Sequence, residues 1–245
     1  MLAKQYFAEI HRILTEVEET QLGPIQQTAE KIVETTLQKR NVYIFGSSHA
    51  GILAQEMFYR TGGLVIINPI LAPALTLDVR PVTLTSSAER LEGYGQLIVD
   101  SVNVEAGDLL IVHSVSGRNG VPIDVALRAK QLGAHVVAIT NLAYSNQVSS
   151  RHSSGKRLCE VSDIVIDNCG CYGDAAIEVP PFTEKVSPTS TVIGAAILNA
   201  IVANVVEIFV KRDMDPPVFV SANMDGGDDY NQTMLSKYKS QIKYM

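Results

Sequence analysis

Apolar residues recur at three- and four-residue spacing from the start of the chain: Leu2, Tyr6, Ile10, Ile13 and Val17, with Glu9, Arg12, Glu16 and Glu19 between them. That period predicts an amphipathic helix over 2–19. Gly23-Pro24 interrupts it, and Pro24 suits the first turn of a second helix with Ile25, Ala29, Ile32, Val33 and Leu37 inside. The pattern then changes. Short unbroken apolar runs at 41–45, 64–67, 109–113, 134–139 and 163–167 predict five strands. Helical stretches alternate with them at 52–59, at 86–102 with Ser87 as cap, and at 121–132, where Gly133 ends the helix. Residues 68–82 contain three prolines and read as a loop that covers something; 144–156 is a polar loop. Residues 190–211 predict one long helix, nearly free of charge over 192–206, central in the fold or at a subunit interface. The segment after it, with Asp225-Gly226-Gly227-Asp228-Asp229 and a lysine-rich end, reads as an appendage.

Strands that are short apolar runs and alternate with helices imply a parallel sheet covered on both faces. The predicted fold is α/β: a three-layer α/β/α sandwich on a five-stranded parallel sheet, preceded by N-terminal helices. The expected organisation is a helical extension over 1–40, a ligand-binding domain over 41–212 and a C-terminal tail over 213–245.

Composition narrows the function classes. The 245 residues are 46% hydrophobic and 19% charged, enough for one sizeable core. No run is read as long enough to cross a bilayer, and the start has no apolar secretory segment, so a cytoplasmic protein off the membrane is expected. A net charge of −6 argues against a nucleic-acid partner, which wants a basic face. Cys159, Cys169 and Cys171 are a poor disulfide framework, and no second Cys/His pair accompanies Cys169-Gly170-Cys171. No metal or organic cofactor is expected. The apolar first and long last helices predict a homo-oligomer, at least a dimer.

Chemistry concentrates at two turns. Strand 109–113 runs into Ser114-Val115-Ser116-Gly117-Arg118-Asn119 and then a helix; strand 41–45 runs into Gly46-Ser47-Ser48-His49-Ala50-Gly51. The first turn of a helix has unpaired N–H groups and partial positive charge, so hydroxyls converging there suit a phosphate. Ligands of such sheets bind beyond the carboxyl ends of the strands where strand order reverses. Both turns sit at carboxyl ends and share one crevice if their strands are neighbours. The first turn lacks Gly-x-Gly-x-x-Gly, which argues against a dinucleotide.

In these two turns, and in Gly133-Ala134-His135-Val136-Val137-Ala138-Ile139-Thr140 after the second, the chain resembles the SIS, or sugar isomerase, domain family over about residues 30–210. Within it the likeness is to a bacterial branch close to phosphosugar isomerases. The resemblance implies a phosphate cradle of Ser114, Ser116, Asn119 and the Gly117 amide. Asn119 stands where the family usually has Ser or Thr, and Ala50 where it has a serine, so Ser47 or Ser48 is expected to supply that hydroxyl. Aldose–ketose isomerisation needs a base near C1 and C2 and a group that opens the ring. The resemblance points to Glu184 as the base, with Glu178 second, and to His49 for ring opening, with His152 second. His113 reads as a core histidine, Arg118 as a solvated loop arginine, and Ser190 and Thr191 as the start of the long helix. Three activities remain open: a cofactor-independent phosphosugar isomerase, a non-catalytic sensor of aminosugar phosphates, and a phosphosugar lyase.

Overall fold

The computed structural model describes residues 1–245. Its elements in chain order are α1 (Leu2–Leu37), β1 (Val42–Gly46), α2 (Ile52–Met57), β2 (Ile67–Ile70), α3 (Leu84–Ala88), α4 (Tyr94–Ser101), β3 (Leu109–His113) and α5 (Gly120–Gln131). They continue with β4 (His135–Thr140), α6 (Leu142–Ser145), α7 (Leu158–Val161), β5 (Ile164–Asp167), β6 (Ala175–Val179), β7 (Phe182–Pro188), α8 (Ser190–Lys211) and α9 (Gly227–Lys237). The main sheet is five-stranded and parallel, in the order β2-β1-β3-β4-β5. Strand order reverses between β1 and β3, which pair from Val42↔Leu109 to Gly46↔His113.

Successive strand side chains point to opposite faces, and the core divides accordingly. Val42, Ile44, Leu109, Ile111, Val137 and Ile139 pack with α1, α2 and α8. Tyr43, Phe45, Leu110, Val112, Val136 and Ala138 pack with α4, α5 and α7. The three-layer sandwich is therefore the fold.

Several elements differ from the sequence expectation. α1 is one helix straight through Pro24. Proline removes one i→i−4 bond and crowds the carbonyl of residue 20. The stripe Ile10, Ile13, Val17, Ile25, Ala29, Ile32 and Val33 stays buried along its whole length, and that packing outweighs the local cost. The 86–102 stretch is two short helices, with Ser87 inside α3 rather than capping it. Gly93 separates them at φ +88, its N–H donating to Asp124 Oδ2 at 2.6 Å. The second strand is Ile67–Ile70 and not 64–67: Val65 donates to the Pro217 carbonyl instead, and Leu64 bridges Val218. The 68–82 loop therefore opens with the end of β2.

An antiparallel hairpin, β6–β7, was not foreseen. Nor is the tail an appendage. Phe219, Met234, Tyr238 and Ile242 are buried in the same cluster as α1 and the sheet. Asn68 Nδ2 donates to the Gln241 carbonyl, Lys243 N–H donates to Asn68 Oδ1, and Gln241 Nε2 donates to the Thr36 and Arg40 carbonyls. The segments before 41 and after 212 thus share one core with the sheet. α8 is long and apolar enough by length and composition to cross a membrane, contrary to the reading of the apolar runs; half of its most apolar window is buried inside the fold.

Candidate functional site

β1 ends where its side chain must vanish. A Cβ on Gly46 would lie 2.3 Å from the Ala50 carbonyl oxygen, so the chain turns back tightly only over glycine. Ser48 follows at φ +56 and starts a single 3-10 turn to Gly51. The turn is tied to β3: the Ala50 carbonyl accepts from His113 Nδ1 at 3.1 Å. A carbonyl only accepts, so Nδ1 carries the proton and Nε2 the lone pair. Burial pushes the His113 pKa down and keeps the ring neutral. His113 Nε2 and the Ser47 hydroxyl are both buried and both without partners. His113 is thus a core histidine with one nitrogen unsatisfied at the switch point.

β3 ends in a turn three of whose carbonyls are bound by neighbouring segments. The Val115 carbonyl accepts from Asn141 N–H at 2.9 Å and from Thr140 Oγ1 at 3.0 Å. The Gly117 carbonyl accepts from Leu158 N–H at 2.8 Å, and the Arg118 carbonyl from Arg151 N–H at 2.8 Å. Gly117 has φ +61, with Thr140 Oγ1 3.2 Å and Leu158 Cβ 3.3 Å from where a Cβ would stand. The N–H groups of residues 115–119, by contrast, donate to nothing within the chain. Successive free N–H groups ahead of a helix form a concavity for an anion. The Ser114 and Ser116 hydroxyls have no partner either; Ser114 is buried and Ser116 half-buried.

Asn119 is engaged differently. Its Oδ1 accepts from Arg151 Nη1 at 3.0 Å, and it does not cap α5. Glu89 lies beside it, and burial raises the Glu89 pKa while the Asn119 carboxamide opposes that rise. Arg118 is drawn off to Ser149, donating from Nε to its carbonyl at 2.9 Å.

Because β1 and β3 are neighbours, the two turns do meet at the reversal of strand order. Beside the turn after β1 a cavity of about 820 Å³ is lined by Gly46, Ser48, Ile52 and Gln55 and walled by most of residues 70–80. The proline-rich loop therefore covers this cavity. Ser190 starts α8, and its N–H and hydroxyl both donate to Asp174, at 2.8 and 2.7 Å. The other residues stand apart. His49 is exposed and its side chain has no hydrogen bond. Glu184 is exposed on β7, without a hydrogen bond or ion pair, and nothing within the chain holds it against the cradle. Glu178 pairs with Lys185 on the same hairpin at 3.2 Å. His152 is pinned to α5, its Nε2 3.0 Å from Asp124 Oδ1.

A model of the SIS domain matches residues 5–141, from the first helix through β4 and across both turns. The chain belongs to the SIS domain family. Over 242 residues it is 50% identical to a UPF0309 protein of Oceanobacillus iheyensis, covering 99% of this chain and 98% of that one. Among solved structures, phosphoheptose isomerase GmhA from Neisseria gonorrhoeae aligns with a TM-score of 0.53 at 19% identity, over 85% of this chain and 97% of that one. The sugar isomerase domain of an RpiR transcription factor from Sphaerobacter thermophilus aligns at 0.51 and 17%, over 86% and 93%. At such identities the likeness is one of fold, which these SIS domains share.

Three residues of this SIS domain escaped the sequence reading. Arg151 was submerged in a polar loop. Asp174 gave no signal because its partners lie 15 and 16 positions away. Asp124 had a detectable one: a carboxyl among the buried positions Val121, Val125 and Ala129 of a single helix.

Proposed function

We propose that this SIS domain binds a monophosphorylated sugar in the crevice between β1 and β3. The carrying observation is the row of unpartnered N–H groups at 115–119, with the free hydroxyls of Ser114 and Ser116 beside it. A phosphoryl group offers several acceptor oxygens and net negative charge, which that surface complements. The sugar would extend past Ser47 and Ser48 into the adjoining cavity. That solved relatives in fold include a phosphoheptose isomerase supports the same ligand class.

For turnover, we propose a cofactor-independent aldose–ketose isomerisation. Glu184 would move the proton between C1 and C2 through an enediol, and His49 would open the ring. A non-catalytic sensor is the second reading. It is favoured by one specific observation: Glu184 and His49 are both exposed and unheld, whereas the phosphate cradle is tightly built.

Calorimetry with hexose, heptose and aminosugar phosphates tests binding. Ser116→Ala is expected to weaken the tightest of them about tenfold, the scale of one charge-assisted hydrogen bond. Absence of heat from every phosphosugar would end both readings. Glu184→Gln is expected to abolish isomerisation and spare binding; full turnover in that variant removes Glu184 from the mechanism. Binding without turnover in the unmodified protein selects the sensor.

A further inference from the structure

The phosphate reading leaves the cradle without a cation. Arg118, the arginine within the turn, is turned away to Ser149. The Asn119 carboxamide, standing where the family usually carries a hydroxyl, spends its oxygen on Arg151. We infer that Arg151, delivered by the 150–157 loop and aimed by Asn119, is the cationic ligand of the bound phosphoryl group. This rests on the phosphosugar reading above and adds a residue from outside the turn to the site.

The Arg151 main chain is fixed to the turn by its N–H on the Arg118 carbonyl at 2.8 Å. Its guanidinium has one hydrogen bond, Nη1 to Asn119 Oδ1 at 3.0 Å, and is otherwise exposed. A guanidinium has five N–H donors, so most of its donor set is uncommitted next to the Asn119 side chain, at the end of the turn. Arg157 of the same loop is unlike it: Glu160, Ser145 and Asn146 take its donors.

The loop is also anchored as few exposed loops are. The next residue, His152, is half-buried with its side chain 7% exposed, and its Nε2 lies 3.0 Å from Oδ1 of the fully buried Asp124 on α5. Its Nδ1 takes the Ser154 N–H at 3.0 Å. Nδ1 thus carries the lone pair, and Nε2–H donates to Asp124. Ser153 N–H donates to Glu92 at 3.0 Å, and Ser150 Oγ to the Lys156 carbonyl at 2.8 Å. Arg151 is therefore held one residue from a contact anchored on buried Asp124 of α5, the helix that the cradle turn leads into. Asn119 at this position is explained as well: its oxygen orients the cation instead of its amide donating to the anion.

The test is calorimetric titration of the full-length protein with glucosamine 6-phosphate, glucosamine 6-sulfate and inorganic phosphate. Arg151→Met keeps most of the side-chain stem and removes the charge. It is expected to weaken glucosamine 6-phosphate about 10- to 100-fold, the range for a hydrogen bond to a charged group. Arg151→Lys is expected to recover part of that loss, and Lys156→Met to change affinity less than twofold. The preference for phosphate dianion over sulfate monoanion is expected to narrow in Arg151→Met, which a purely structural residue would not cause. Unchanged affinity in Arg151→Met alongside a weakened Ser116→Ala overturns the role of Arg151 and leaves the phosphosugar reading standing. A larger loss in Lys156→Met than in Arg151→Met also overturns it. No binding of these three probes or of any hexose or heptose phosphate by the unmodified protein overturns both.

Discussion

The 114–119 turn, expected to hold the phosphate, and the β6–β7 hairpin, which carries the expected base Glu184, are built in opposite ways. The turn is buried at its base, seated on β3 and β4, and bound through three carbonyls to neighbouring segments. The hairpin has two strands, and in β7 every residue but Ser187 is exposed. An isolated two-stranded ribbon is marginal in water. This one is fastened at its root, where Asp174 accepts from Thr189 and Ser190, and along one side, where Tyr6 donates to the Pro188 carbonyl. The proposed binding geometry belongs to the core; the proposed base sits on the periphery.

Substitutions sharpen that contrast. Asp124→Ala, on the cradle side, is expected to have the largest effect. It strips acceptors from Gly93 N–H, Gln96 Nε2 and His152 Nε2 in a buried setting. The expected loss is about 2–4 kcal/mol of folding stability, read by urea unfolding. A loss below about 1 kcal/mol would mean the region is far less rigid than the hydrogen bonds imply. Gly117→Ala comes next, because its φ of +61 and the 3.2 Å approach of Thr140 Oγ1 both oppose a side chain. About 1–2 kcal/mol of stability and most of the phosphosugar affinity should go together.

Glu89→Gln tests the electrostatics of the turn through pH. Burial raises the Glu89 pKa in the folded protein, so its contribution to stability is complete below the unfolded carboxyl pKa and is lost as pH rises through the folded value. The variant should therefore have the higher Tm at neutral pH, with the gain shrinking as the pH falls into the carboxyl range. A gain that grows on acidification would reverse the sign of the assignment. The smallest effect is expected on the hairpin: Glu178→Ala breaks an exposed pair with Lys185 and should change stability by less than about 0.5 kcal/mol.

Much of this contrast was legible in the residues, and the limits have physical causes. Strands buried on both faces are near-continuous apolar runs, so the five-stranded sheet could be read directly. The turn after β3 is local, with hydroxyls, glycine and helix start adjacent in sequence. What escaped depends on distance along the chain. Pro24 looked like a break because its cost is local, whereas the packing that overrides it comes from α8, over 160 residues later. The hairpin escaped because its outward strand, Phe182-Thr183-Glu184-Lys185-Val186-Ser187-Pro188, buries too little for apolar alternation to show. Arg151 carries no mark of its own; only the fold sets it against Asn119.

The stitching between Asn68 and residues 241–243 has a consequence in time. Until residues 241–243 have left the ribosome, Asn68 beside Pro69 on the sheet's edge strand and the carbonyls of Thr36 and Arg40 lack the bonds that those residues supply. Tyr244, whose hydroxyl donates to the Val65 carbonyl, arrives later still. A nascent chain can assemble β1, β3 and β4 early but seals its first edge last, so a stop codon before position 241 should yield a protein that clumps during synthesis.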